Sequence, residues 1–233
     1  MQDETSSTVS VANDATTLEA DVCSAVEQGH DVQKIVRRLT LRKISARSLD
    51  IESLRQIAHA VLSGARAGAQ KELQHSVAQT DITRVHLKRA VAGLDAALAQ
   101  LAEASKLALE EAAARAQTFS REDLTRALSD LESLEAMFLE TMQASASGVK
   151  DVAQEILYDM VTHTRIHGSA VGRQLRETLP VIAQQLDAAG RTQAVTGLHL
   201  AQATSDLLRQ IAAGVLTGVA DHVMPGHPQG KGD

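Results

Sequence analysis

Tryptophan is absent from the 233 residues, and Phe119, Phe138 and Tyr158 are the only aromatics. Sites built on aromatic stacking, such as sugar clefts or platforms for single-stranded nucleic acid, are therefore not expected. Cys23 is the only cysteine, so no intramolecular disulfide can form, which fits a reducing compartment. Proline occurs three times, twice in the terminal MPGHPQGKGD. No run of 18 apolar residues occurs, so no transmembrane span is expected. The start, MQDETSSTVS, is acidic and polar, the opposite of a signal peptide. These features predict a soluble, cytoplasmic protein.

Alanine fills 38 positions. With Leu, Val, Glu, Gln and Arg it makes a composition that favours helix, because these side chains lose little freedom there. In residues 94–119, LDAALAQLAEASKLALEEAAARAQTF, neither Gly nor Pro interrupts the pattern. Leu87, Val91, Leu94, Leu98, Leu101, Ser105, Leu109, Ala112, Ala116 and Phe119 advance in steps of three and four, a narrow stripe on one helix face. Leu124, Leu128, Leu131, Leu134, Phe138 and Met142 form a second stripe. Such seams suit near-parallel packing of long helices, as in bundles and coiled coils. The predicted fold is all-α: an elongated antiparallel bundle of long helices with short N-terminal helices.

The expected boundaries follow the cap signals. Residues 1–12 read as disordered. Residues 13–49 read as short helices, one from about 14 to Gly29 and a basic one capped by Asp31. The long-helix bundle fills 50–223, with Asp50, Thr80 with Asp81, and Ser120 with Asp123 as helix starts. Pro180 is expected to break or kink its helix, and 224–233 form a disordered tail. Gly64 and Gly68, Gly168 and Gly172, and Gly214 and Gly218 recur at four-residue spacing, which suggests close helix crossings. Between Thr192 and Val223 only Asp206, Arg209 and Asp221 are charged. A helix this apolar is central in its bundle or covered by something else, and Leu200, Leu207, Ile211 and Gly218 are its candidate contact residues for self-association.

Charge is uneven within a net −6. Residues 1–30 hold six acids and no Lys or Arg; residues 31–50 hold six Lys or Arg against Asp31 and Asp50. Any polyanion binding is therefore expected in 31–50. There Lys34, Arg37, Arg38, Arg42, Lys43 and Arg47 flank an apolar edge of Ile35, Val36, Leu39 and Ile44, a pattern for anionic lipid or a phosphate backbone. The plainer alternative is a packed basic helix paired with the acidic N-terminus or with Glu132 and Glu135.

Two spacings fit metal ligation. His163 and His167 stand four apart, so two imidazoles can share one ion from a helix face; their stripe with Ile156, Met160, Val171 and Leu175 also allows them to be core residues. Glu72 and His75 have the Glu-x-x-His spacing of di-iron bundles. A zinc site needs three or four ligands, and no second ligand pair stands out. No GxGxxG, P-loop, GxSxG or HExxH occurs, so catalysis and a cofactor are not expected.

Four stretches, VRRLTLRKI (36–44), LRQIAHAVLSGARAGA (54–69), LDAALAQLAEASKLALEEAAA (94–114) and IAAGVLTGVADHV (211–223), resemble a family of uncharacterised bacterial helical proteins that carries no established activity. In texture the chain is also similar to phasins, the Ala-rich coat proteins of polyester granules, which would imply a coat or scaffold role. The leading expectation is a non-catalytic interaction or scaffold protein that self-associates, binds a protein partner or coats an apolar or lipid surface. A peripheral binder acting through 34–47 is the alternative and a metal-binding bundle the third; nucleic acid is the partner least expected.

Overall fold

The computed structural model describes residues 4–46, 50–75, 80–114, 121–147 and 151–192. Nearly all of these are helical: α1 (Glu4–Gln28), α2 (Val32–Ser45), α3 (Ile51–His75), α4 (Thr80–Ala114), α5 (Arg121–Ser145), α6 (Val152–His167) and α7 (Ala170–Thr192). The two leucine stripes become the core. Leu87, Leu94, Leu98, Leu134, Phe138 and Met142 are all but inaccessible to solvent. Burial of large aliphatic side chains contributes about 1.5–3 kcal/mol each, so these stripes are what turn helix propensity into a fold.

Contact registers set the directions. Gly64 meets Glu19 and Gly68 meets Cys23 and Val26, a steady advance along both helices, so α1 and α3 run parallel. Gly29 meets His86 while Gln33 and Val36 meet Gly93, so α2 runs parallel to α4. Asp95 reaches Ala170 and Val171, and Thr178 reaches Ala102, so α7 also follows α4. Arg55 reaches Glu140 and Arg66 reaches Ser145, which places α5 parallel to α3. Chain neighbours among α1–α5 thus alternate direction, giving the antiparallel bundle expected. At ~1.5 Å per residue α4 is roughly 52 Å long. It is the shared spine, packing on α2, α3, α6 and α7.

Several local expectations change. α1 begins at Glu4, taking in residues that the sequence left outside any element. Asp31 precedes α2 but makes no side-chain cap bond, because it is itself left-handed at φ 48°. Together with Gly29 at φ 71° it turns the chain from α1 into α2. Pro180 neither ends nor divides α7. It lies on the exposed side, where water can satisfy the carbonyl that loses its donor. Gly168 is no helix crossing. It ends α6 at φ 79° with open space around it, whereas Gly172 admits the Glu135 carboxylate. The expectations for 193–223, and for Arg47 and the His75 side chain, lie outside the described residues.

Candidate functional site

The basic helix is placed with its apolar edge inward. Val36, Leu39 and Ile44 are buried, Lys34, Arg38 and Arg42 are exposed, and Arg37 and Lys43 are half-buried. Lys34, Arg38 and Arg42 are four apart and form a single outward row. Arg42 stands 3.7 Å from Asp21 of α1, the acidic N-terminal partner considered above. Glu135 is occupied elsewhere, accepting from Ser169 at 2.6 Å.

α4 lies directly beside this row. Gly93 makes the approach possible, since even a Cβ there would stand 2.6 Å from the Gln33 carbonyl oxygen. The first turns of α4 carry Arg84, Lys88 and Arg89, all exposed. Arg89 joins Lys34 and Arg37 in lining a surface pocket of about 380 Å³ at the start of α2, with Asp31, Val32 and Gln33. Among the described residues none of Lys34, Arg37, Arg38, Arg84, Lys88 or Arg89 takes an ion-pair partner. Residues 84–89 thus add three exposed cations to those that the sequence places in 31–50. Their signal in the sequence is TRVHLKRA, three cations with no acid between Asp81 and Asp95. Nothing local shows that this segment meets α2.

Other polar groups serve the bundle. Both oxygens of Glu72 face His86 Nδ1, at 3.0 and 3.3 Å, with the two side chains only 10% and 12% exposed. This contact sits under the α1–α2 turn, where a Cβ on Gly29 would collide with the His86 ring. At the α6–α7 junction Asp95 Oδ2 and Oδ1 accept the backbone N–H groups of Ala170 and Val171 at 2.7 and 2.9 Å. The Ser169 hydroxyl accepts from Gly172 N at 2.8 Å. Three N–H groups that a helix start leaves without partners are thereby satisfied, two of them from another helix. Burial pushes the Asp95 pKa up, against the lowering effect of those N–H groups and of Arg173.

Asp151 caps α6 through Gln154 N at 2.7 Å and takes Arg66 and Gln70 of α3 at 2.8 and 2.7 Å. Burial opposes its charge, but these hydrogen bonds and the guanidinium outweigh it and hold its pKa below the usual value. Arg66 also donates to the Ser145 carbonyl at 3.2 Å, tying the end of α5 and the start of α6 to α3.

His163 and His167 are not core residues. Both are exposed on α6, with ring centroids 4.3 Å apart and planes tilted by 44°. They supply two nitrogen ligands, half of a tetrahedral zinc shell. The described His, Cys, Asp and Glu side chains include no group of three or more that could hold a metal, so Glu72 is not brought to this pair. Among the described residues no helix is long and apolar enough to cross a membrane.

No curated protein and no solved structure matches the chain. A family model does match, over residues 8–225. That span takes in every described helix from α2 to α7 and most of α1, and by it the chain belongs to a family of unknown function, DUF6781.

Proposed function

We propose that this chain is a non-catalytic helical interaction protein that holds an anionic partner against the joined outer face of α2 and α4. The observation that carries this reading is the set of unpaired cations on two parallel helices of a protein whose net charge is −6. Arg55, by contrast, pairs with Glu52 and Glu140, and Arg66 with Asp151. A local cationic face on an acidic protein steers an anionic partner to one orientation. Self-association through Leu200, Leu207, Ile211 and Gly218 remains part of the same reading on sequence grounds. Light scattering across protein concentration and salt tests it, a salt-independent dimer being the expected species.

The test of the cationic face is retention of the full chain on an immobilised polyanion. Elution is expected at a salt concentration that falls when Lys34, Arg37, Arg38 and Arg89 are replaced by Gln. Equal elution of the two proteins removes the reading.

A further inference from the structure

We infer that the anionic partner is a membrane surface, and that Ile82 and Val85 enter it. This rests on the cationic face proposed above and adds what the pairing of α2 with α4 brings beside it. Ile82 is 49% exposed and Val85 42% exposed. On the helical wheel of α4 the outward direction passes through Val85, with Ile82 and Arg89 on the side toward α2 and Lys88 and Arg84 on the other. Two branched aliphatic side chains therefore stand between cations on both sides, with the exposed Asp81 the one acid among them, and the cations continue onto Lys34 and Arg38 of α2.

That arrangement separates lipid from nucleic acid. A phosphodiester backbone rewards the cations but gives an aliphatic pair nothing to bury against. Base contacts would call on donors and stacking rings, and the face holds no aromatic residue. At a bilayer the two functions combine. Cations take the headgroup phosphates and apolar side chains enter the boundary between headgroups and acyl chains.

The face is also bounded. Farther down the same side of α4, Glu103, Glu110 and Glu111 are exposed, and an anionic surface repels them. Docking is thus by the end of the bundle where α2 and α4 begin, with the remainder of α4 tilted away. From residue 82 to 89 the α4 portion is roughly 12 Å long. This is a peripheral contact, shallow and reversible, that leaves the bundle folded.

The experiment is flotation of the full chain with vesicles of phosphatidylglycerol and phosphatidylcholine in equal parts, beside vesicles of phosphatidylcholine alone. Binding is expected only to the anionic vesicles, falling at least tenfold as salt is raised. Replacing Arg84, Lys88 and Arg89 together by Gln is expected to weaken it about a hundredfold, each cation near such a surface being worth about fivefold. Replacing Ile82 and Val85 by Ser is expected to weaken it about tenfold while leaving its salt dependence unchanged. All five positions are exposed, so the variants are expected to keep their helices, which circular dichroism checks. Unchanged vesicle binding by the Ser variant overturns insertion. Binding to duplex DNA without binding to anionic vesicles overturns the membrane assignment and keeps the cationic-face reading. Binding to neither overturns both.

Discussion

Two sides of the bundle are held together differently. Where α1 and α2 lie on α3 and α4, the contacts run through small residues. Gly64, Gly68 and Gly93 face the carbonyls of Glu19, Cys23 and Gln33, so helix backbones touch and few side chains are spent between them. Where α5, α6 and α7 lie on α3 and α4, the filling is bulky, with Met137, Phe138 and Met142 fully buried. There the helix ends are fastened by carboxylates, Asp95 at the start of α7 and Asp151 at the start of α6. Close backbone packing leaves long side chains such as Arg38 and Arg89 pointing outward, whereas the carboxylate-fastened side consumes Arg66. On the side that packs through glycine, Lys34, Arg37 and Arg89 gather around one pocket.

The largest expected effect breaks the first of these modes. A Cβ on Gly64 would stand 2.3 Å from the Glu19 carbonyl oxygen, so Gly64→Leu must push α1 off α3. Overpacking costs about 1–3 kcal/mol, and more where backbone must move. Chemical denaturation should show a loss at the upper end or beyond, with α1 becoming protease-sensitive while α5–α7 stay protected. Uniform loss of protection would mean that the two sides are one cooperative unit.

Next in size is Asp95→Ala. It strips two partners from the N-terminus of α7, and losing such a cap costs about 2 kcal/mol at most. The penalty on the raised Asp95 carboxyl is relieved at the same time, so a loss between 1 and 2 kcal/mol is expected from urea unfolding, by the cap scale. Asn at the same place keeps one acceptor and should recover part of it.

The pH response has opposite signs at the two carboxylates. The folded pKa of Asp151 lies below its ordinary 3.8, so its contribution is present above that value and is lost as pH falls through the folded pKa. Asp95 has a folded pKa above 3.8 and is penalised above it, a cost relieved as pH falls through that raised value. Asp151→Asn should therefore flatten the acid limb of stability against pH, read by thermal unfolding between neutral pH and about pH 2, the range in which carboxylates take up protons. An unchanged limb would assign acid sensitivity to other carboxylates.

The smallest effect is Thr83→Val. The Thr83 hydroxyl is buried without a hydrogen-bond partner, while the buried Thr40 donates to the Val36 carbonyl at 2.8 Å. Removing an unsatisfied hydroxyl is neutral or stabilising by up to about 1 kcal/mol, and removing a satisfied one costs a similar amount. Thr83→Val and Thr40→Val should accordingly shift the unfolding midpoint in opposite directions.

Much of the fold was readable along the chain. The stripes from Leu87 to Leu109 and from Leu124 to Met142 are the buried faces of α4 and α5, and Asp50 caps α3 through Ser53 N at 2.8 Å. The spacing of Gly64 and Gly68 marked a real crossing. The same spacing misread Gly168, whose role as the end of α6 depends on a backbone angle. His163 and His167 fell on an apolar-looking stripe yet are exposed, because the side of α6 they occupy meets no helix among the described residues. Asp95 carried no local sign of a cap, since the N–H groups it holds are 75 and 76 residues away.

The sequence by itself determined that the chain is helical, where most helices start, and which faces are apolar. Those properties follow from hydrogen bonds and side-chain spacings that span four residues or fewer. Only the tertiary structure decided which helices lie side by side. It joined Lys34 and Arg37 to Arg89, set Ile82 and Val85 beside them, and placed Glu72 against His86. Charge and apolar exposure add up over a surface, and that surface collects residues some fifty positions apart in the chain, a distance at which no local pattern carries information.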